Sequence, residues 1–334
     1  MDSEANLVAE LRGVRLYGNG KITRTSTPLL PTVPAHDHSV QGVTVASKDV
    51  DLDKQKGTWM RIYLPQNPTT SLSLHHSNKL PVIVYFHGGG FCFLSAATAA
   101  FDHVCAQMAA KLGVIVVSVD YRLAPEHRLP AAFDDCFAAL QWLQAQAELG
   151  CSDPAAADPW LAAHANLSCC FLMGVSSGAT YLHHVGIRAI AADLGKVKIR
   201  GHIMVVPAFA GMSRTLTELK YADQEELTLK NADQCWHFAL PLEADRDHPY
   251  CNPLSPQSPD IGSLDLPPTL VVIAGKDILH DRQIEYVDLL RKKGKTVQLL
   301  NYENHTHHLN FPEVDPVSSE YEVLSSFMEK CIAM

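Results

Sequence analysis

The chain has 334 residues, of which 47% are hydrophobic and 19% charged, and its formal net charge is −9. That balance supplies ample material for a core and excludes long solvated tails. Its acidic sign argues against a nucleic-acid or anionic-membrane surface, so neither is expected as a partner. The densest basic run, Lys292-Lys293-Gly294-Lys295, reads as a solvated helix end capped by Gly294. Nine cysteines without a C-x-x-C spacing read as reduced, buried thiols, and neither metal nor cofactor is expected. The first fourteen residues carry Asp2, Glu4 and Glu10 and lack the apolar core of a signal peptide. A cytoplasmic location is expected, with the nucleus also open.

Residues 1–35 read as an irregular or helical arm containing Pro31 and Pro34, and residues 1–45 together as part of a cap. Strand-like runs follow at 43–50 and 58–64. A polar loop rich in Ser, Thr and His occupies 66–78. Residues 81–86 are a β-branched apolar run, the pattern of a strand buried on both faces. The sequence then predicts helix over 101–112, strand over 114–119, helix over 130–148, strand over 169–173 and helix over 177–192. Strands follow at 202–206 and 269–274, a helix at 281–293, a last strand at 296–302 and a closing helix at 316–331. Strand and helix alternate with short connections, which predicts an α/β fold with a mostly parallel central sheet and helices on both faces. Residues 208–265 break the rhythm. They are expected to form an insertion, within a single domain spanning 1–334, that covers the C-terminal edge of the sheet, where open α/β sheets bind ligands.

One motif at that edge carries chemistry. Gly174-Val175-Ser176-Ser177-Gly178 follows an apolar run and opens a helix, the context of a nucleophile elbow. Serine is a weak nucleophile unless a base lies within hydrogen-bond reach and a third group orients that base. The order Ser, Asp, His is available as Ser176, Asp277 and His307, each just after a predicted strand. Asp281 could take the acid role if its loop turns differently, and His305 is the runner-up to His307. The histidine cluster at 305–308 lacks a carboxylate at ligand spacing, which argues against a metal there. Upstream, His87-Gly88-Gly89-Gly90 would let backbone N–H groups of Gly88 and Gly89 join that of Ser177 around an oxyanion. Phe91, Phe93, Phe209, Trp236 and Phe238 are candidates for an apolar substrate pocket, and equally for core.

These motifs, with the long run from Asp120 to Ala132 and the segment from Asp277 to Arg282, resemble the hormone-sensitive-lipase-like α/β-hydrolases, and among them the plant carboxylesterases. The resemblance spans roughly residues 58–330. It implies the α/β-hydrolase fold and a serine carboxylester hydrolase working through Ser176, His307 and Asp277 on a small ester or lactone, as a monomer or homodimer. It assigns the run from Asp120 a structural role beneath the site. It also raises two alternatives: a hormone receptor like the family's gibberellin receptors, which have replaced the base histidine, and a lyase or cyclase. The family elbow usually carries Asp where this chain has Val175, and Gly where it has Ala179. The missing carboxylate suggests a less polarised base and a low or narrow activity.

Overall fold

The computed structural model describes residues 6–25, 29–66, 79–309, 311–312 and 320–334. Most of the polar loop at 66–78 and the start of the closing helix at 316–319 lie outside them.

The first three strands are β1 (Leu7–Leu11), β2 (Val14–Tyr17) and β3 (Ile22–Arg24), which form an antiparallel sheet of their own. This corrects the expectation of an irregular or helical arm. The strands are only three to five residues long, too short for a period to register, and the turn between the first two rests on Gly13 at φ +83°. Leu11 and Val14 are buried in the main core.

The central sheet is built from β4 (His38–Val40), β5 (Val43–Asp53), β6 (Thr58–Gln66), β7 (Leu80–Phe86), β8 (Ile115–Asp120), β9 (Ala165–Val175), β10 (Ile199–Val205), β11 (Thr269–Ala274) and β12 (Val297–Tyr302). Its order is β12-β11-β10-β9-β7-β8-β6-β5-β4. The run from β12 to β8 is parallel, and β6, β5 and β4 continue it antiparallel.

The helices are α1 (Ala99–Leu112), α2 (Ala131–Ser152), α3 (Pro159–His164), α4 (Ser177–Ala191), α5 (Leu216–Lys220), α6 (Leu229–Ala239), α7 (His280–Lys292) and α8 (Glu320–Ala333). Two apolar cores lie on opposite faces of the sheet. One gathers side chains of α2, α4 and α7, including Phe133, Leu140, Tyr181 and Tyr286. The other gathers α1 and α8 through Val104, Met108, Leu324 and Phe327. Helices on both faces explain why β7, β8 and β11 are buried almost throughout. The chain therefore has the α/β-hydrolase arrangement the motifs implied. Inside 208–265 the rhythm breaks because α5 and α6 are short and set by side-chain caps. Thr215 and Glu218 form a reciprocal capping box, and Thr228 accepts from the N–H of Asn231. None of the helices described is long and apolar enough to cross a membrane.

Candidate active site

Parallel strands all point one way, so the loops at their C-terminal ends converge on one edge. The loop after β7 carries the glycine run, the turn after β9 carries Ser176, and the loops after β11 and β12 carry Asp277 and His307.

Ser176 sits at φ +55°, a backbone state that L-residues avoid and that costs on the order of 1–3 kcal/mol. Backbone hydrogen bonds on both its N–H and its carbonyl hold it there. Its N–H donates to Val205 O at 2.8 Å, and its carbonyl accepts from Ala179 and Thr180 as α4 begins. Gly178 is obligatory: a Cβ there would stand 2.1 Å from Phe86 O. Ala179 fits fully buried, so the elbow keeps its turn without the family's third glycine.

Ser176 Oγ lies 2.8 Å from His307 Nε2. His307 Nδ1 lies 2.8 Å from Asp277 Oδ2. The carboxylate is fully buried and is held from two more sides: Leu279 N–H donates to Oδ1 at 2.9 Å and Gln283 Nε2 to Oδ2 at 2.7 Å. The two runners-up fall elsewhere. Asp281 accepts from the N–H of Thr217 at 3.0 Å and anchors α5. His305 is exposed, with its ring edge-on to Tyr302 and its carbonyl taken by Lys276 N–H. Gln283 was not singled out from the sequence, because a lone glutamine in a polar helix carries no signal until α7 is seen to lie behind Asp277.

Opposite the serine, a Cβ on Gly88 would stand 3.2 Å from Val175 O and 3.5 Å from Ser176 Cβ, so this loop runs against the elbow. Gly89 has φ +129°, and a side chain there would collide with Phe93 O. Outside the helices and strands, no backbone acceptor among the described residues takes the N–H of Gly88 or Gly89. Ser177 is the first residue of α4, so its N–H has no partner inside the helix and lies at the positive end of the helix dipole.

The loop is braced from below. His87 Nδ1 donates to Gly88 O at 2.7 Å, and Tyr121 Oη donates to His87 O at 2.7 Å while stacking on the ring. Full burial pushes the His87 pKa down to about 4, so the ring stays neutral. From the N-terminal sheet, Arg24 reaches Cys92 O, Ala124 O and the Glu126 carboxylate, each at 2.6 Å. Arg24 thereby ties the first sheet to the glycine loop, and Glu126 holds its guanidinium, which fits a structural reading of Glu126.

A cavity of about 680 Å³ opens over Ser176. Phe91, Phe93 and Trp236 line it. Phe209 and Phe238 do not. Phe209 packs on Tyr286 and His183 in the core, and Phe238 is wholly buried. Position in the insertion alone could not separate these from Trp236. The lining also takes Leu11, Leu29 and Leu30 from the N-terminal segment and Leu227 and Cys235 from the insertion, with Arg12, Glu226 and Asn231 as polar groups.

Comparison with known proteins agrees with this architecture. A family model described as alpha/beta hydrolase fold matches residues 83–310. The chain belongs to the α/β-hydrolase family. Among curated proteins it is 36% identical to probable carboxylesterase 8 of Arabidopsis thaliana, over 95% of this chain and 92% of that one. It is also 36% identical to the gibberellin receptor GID1C of the same plant, over 82% of this chain and 77% of the receptor. Among solved structures, an esterase of Pyrobaculum calidifontis superposes with a TM-score of 0.67 at 27% identity, covering 87% of this chain and 85% of the esterase. This α/β-hydrolase is of the carboxylesterase type and is similar to plant carboxylesterases over most of its length.

Val175 half-faces the cavity and packs against the apolar core that contains Tyr85 and Val104. From sequence, its missing carboxylate read as a lost electrostatic support. In this setting Val175→Asp is expected to cost on the order of 2 kcal/mol of stability, because a carboxylate there is desolvated without a partner. A melting curve beside a kcat measurement checks this. A mutant as stable as the parent with raised kcat would contradict it.

Proposed function

We propose that the protein hydrolyses small, largely apolar carboxylic esters or lactones, with Ser176 as nucleophile, His307 as base and acid, and Asp277 as the group that orients His307. The observation that carries the reading is the continuous relay from Ser176 Oγ to His307 Nε2 and from His307 Nδ1 to Asp277, each link 2.8 Å.

The carbonyl oxygen of a bound ester lies toward the N–H groups of Gly88, Gly89 and Ser177. His307 Nε2 takes the hydroxyl proton as Oγ attacks the carbonyl carbon. The oxyanion of the tetrahedral intermediate accepts from the three amides, which are rigid before the charge appears. His307 then gives the proton to the leaving alcohol, and a water attacks the acyl-enzyme by the same route in reverse. Asp277 keeps the ring oriented through Nδ1 and stabilises the imidazolium. The N-terminal segment, 1–45, and the insertion, 208–265, act as the cap of a single domain and supply part of the apolar wall, beside Phe91, Phe93, Phe101 and Phe311.

A cavity of about 680 Å³ suits a drug-sized ligand. A panel of p-nitrophenyl esters from acetate to decanoate, run beside plant-derived lactones, tests the reading. Turnover with a chain-length optimum is expected. The similarity to a gibberellin receptor raises ligand binding without turnover as the second reading, and absence of turnover across the panel together with tight binding of an apolar acid would favour it.

A further inference from the structure

Three ligand-bearing side chains meet where the segment entering β4 packs on α1, in a group the hydrolytic reading does not use. His36 and His38 come from the segment entering β4, and Asp102 from the first turn of α1. One ligand atom from each lies within 4.8 Å of the other two. No metal was expected from the sequence, because the carboxylate is 64 residues beyond His38 in the chain and only the fold brings it near.

We propose that His36, His38 and Asp102 form a binding site for one divalent transition-metal cation of the zinc class. The contact between His38 and Asp102 carries the argument. His38 Nε2 stands 3.4 Å from Asp102 Oδ2. Yet that nitrogen is buried and makes no hydrogen bond, so the pair is close without being bonded. Two atoms that each lie about 2.0–2.1 Å from a tetrahedral zinc stand about 3.4 Å apart. The separation therefore matches that of two ligands on one such cation.

The surrounding groups fix these ligands as outer-shell partners do. The other carboxylate oxygen, Asp102 Oδ1, accepts from Tyr63 Oη at 2.8 Å and from Arg61 Nη1 at 3.0 Å, which leaves Oδ2 turned to the histidines. His36 Nδ1 donates to Pro34 O at 2.9 Å, so its Nε2 carries the lone pair. The backbone of His36 is pinned to β5, where Ser47 Oγ accepts from its N–H and donates to its carbonyl. The Arg61 charge does not stand against a cation alone, because Asp49 pairs with it at 2.6 and 2.9 Å. Two imidazoles and one carboxylate leave a fourth position for water, the donor set of a borderline-soft cation.

The site would staple the segment that brings Leu29 and Leu30 to the cavity wall. That segment already pairs with the start of α1 through Val33 N–H to Ala97 O and Ala99 N–H to Pro31 O.

The test uses the full chain stripped with a chelator and then titrated with zinc chloride, with cobalt(II) as a spectroscopic probe. His36→Gln, whose side chain is exposed, and His38→Gln serve as variants, since neither touches the hydrolytic site. The parent is expected to bind one equivalent of zinc more than either variant. It should also give a tetrahedral cobalt spectrum that both variants lack. At a hundredfold excess over Kd the folding equilibrium shifts about 100-fold toward the native state, read as a raised Tm in the parent only. Equal zinc stoichiometry in the parent and either folded variant would overturn the proposal, as would a parent that binds none.

Discussion

Ser176→Ala is expected to fold as the parent does and to lose on the order of 10⁴–10⁶ in kcat against p-nitrophenyl esters. The hydroxyl lies 2.8 Å from the base at the tip of the elbow, and the neighbouring Ser177 cannot replace it, because that side chain is fully buried. His307→Ala should lose about as much, and the double mutant little more, since the two act as one unit. His305→Ala should stay near the parent, because its ring is exposed against Tyr302. Asp277→Asn should cost on the order of 10⁴, by disfavouring the histidine tautomer whose Nδ1–H donates to the carboxylate. Steady-state kinetics on the folded variants checks all five. A folded Ser176→Ala with parental turnover would remove the assignment.

Acid should unfold this protein steeply. Four histidines are shielded from water: His87, His183 and His202 are buried and His184 is half-buried. Loss of hydration on burial pushes His87, His184 and His202 down to about 4 and His183 well below its usual value. The sign follows from where protons bind. Above the ordinary histidine value near pH 6.5 neither state is charged, and the stability is fully present. As pH falls toward 4 the unfolded chain takes up protons that the folded chain refuses, and stability is lost. Each such proton is worth about 1.4 kcal/mol per pH unit. Asp120 works in the opposite direction, since burial raises it to about 6 and it favours the fold as pH falls from 6 toward 4. One carboxyl does not offset four imidazoles. The net slope is on the order of 4 kcal/mol per pH unit, which set against a typical stability of about 5–15 kcal/mol places the midpoint at roughly pH 4–5. Circular dichroism from pH 8 to 3 measures it. His202→Leu should shallow the slope by about one proton, because the His202 Nε2 makes no hydrogen bond. A fold unchanged down to pH 3.5 would contradict the argument.

The parts that were legible from sequence are those where backbone geometry dictates residue type. The elbow could be read because Gly178 admits no side chain against Phe86 O, and the glycine loop because Gly89 adopts a φ that favours glycine. The strands of the parallel sheet could be read because burial on both faces writes an unbroken apolar run. The N-terminal sheet could not. Its strands are short, and its decisive side chain, Arg24, acts on backbone atoms about 70 to 100 positions away. In the insertion, Trp236 faces the cavity while Phe238 faces the core, because successive positions on α6 point to different sides. The choice between His305 and His307 rested on spacing from the strand end, and the relay geometry falls on His307. The His36, His38 and Asp102 group was invisible because its carboxylate comes from another element.

The central claim is that Ser176 is a nucleophile activated by His307. The most direct measurement is incubation of the full chain with a fluorophosphonate, followed by intact-mass and peptide mass spectrometry beside residual esterase activity. The account predicts one adduct per chain, on Ser176, formed in step with loss of activity, absent in Ser176→Ala and much slower in His307→Ala. An active enzyme that stays unlabelled, or one labelled on another residue as activity is lost, would contradict it.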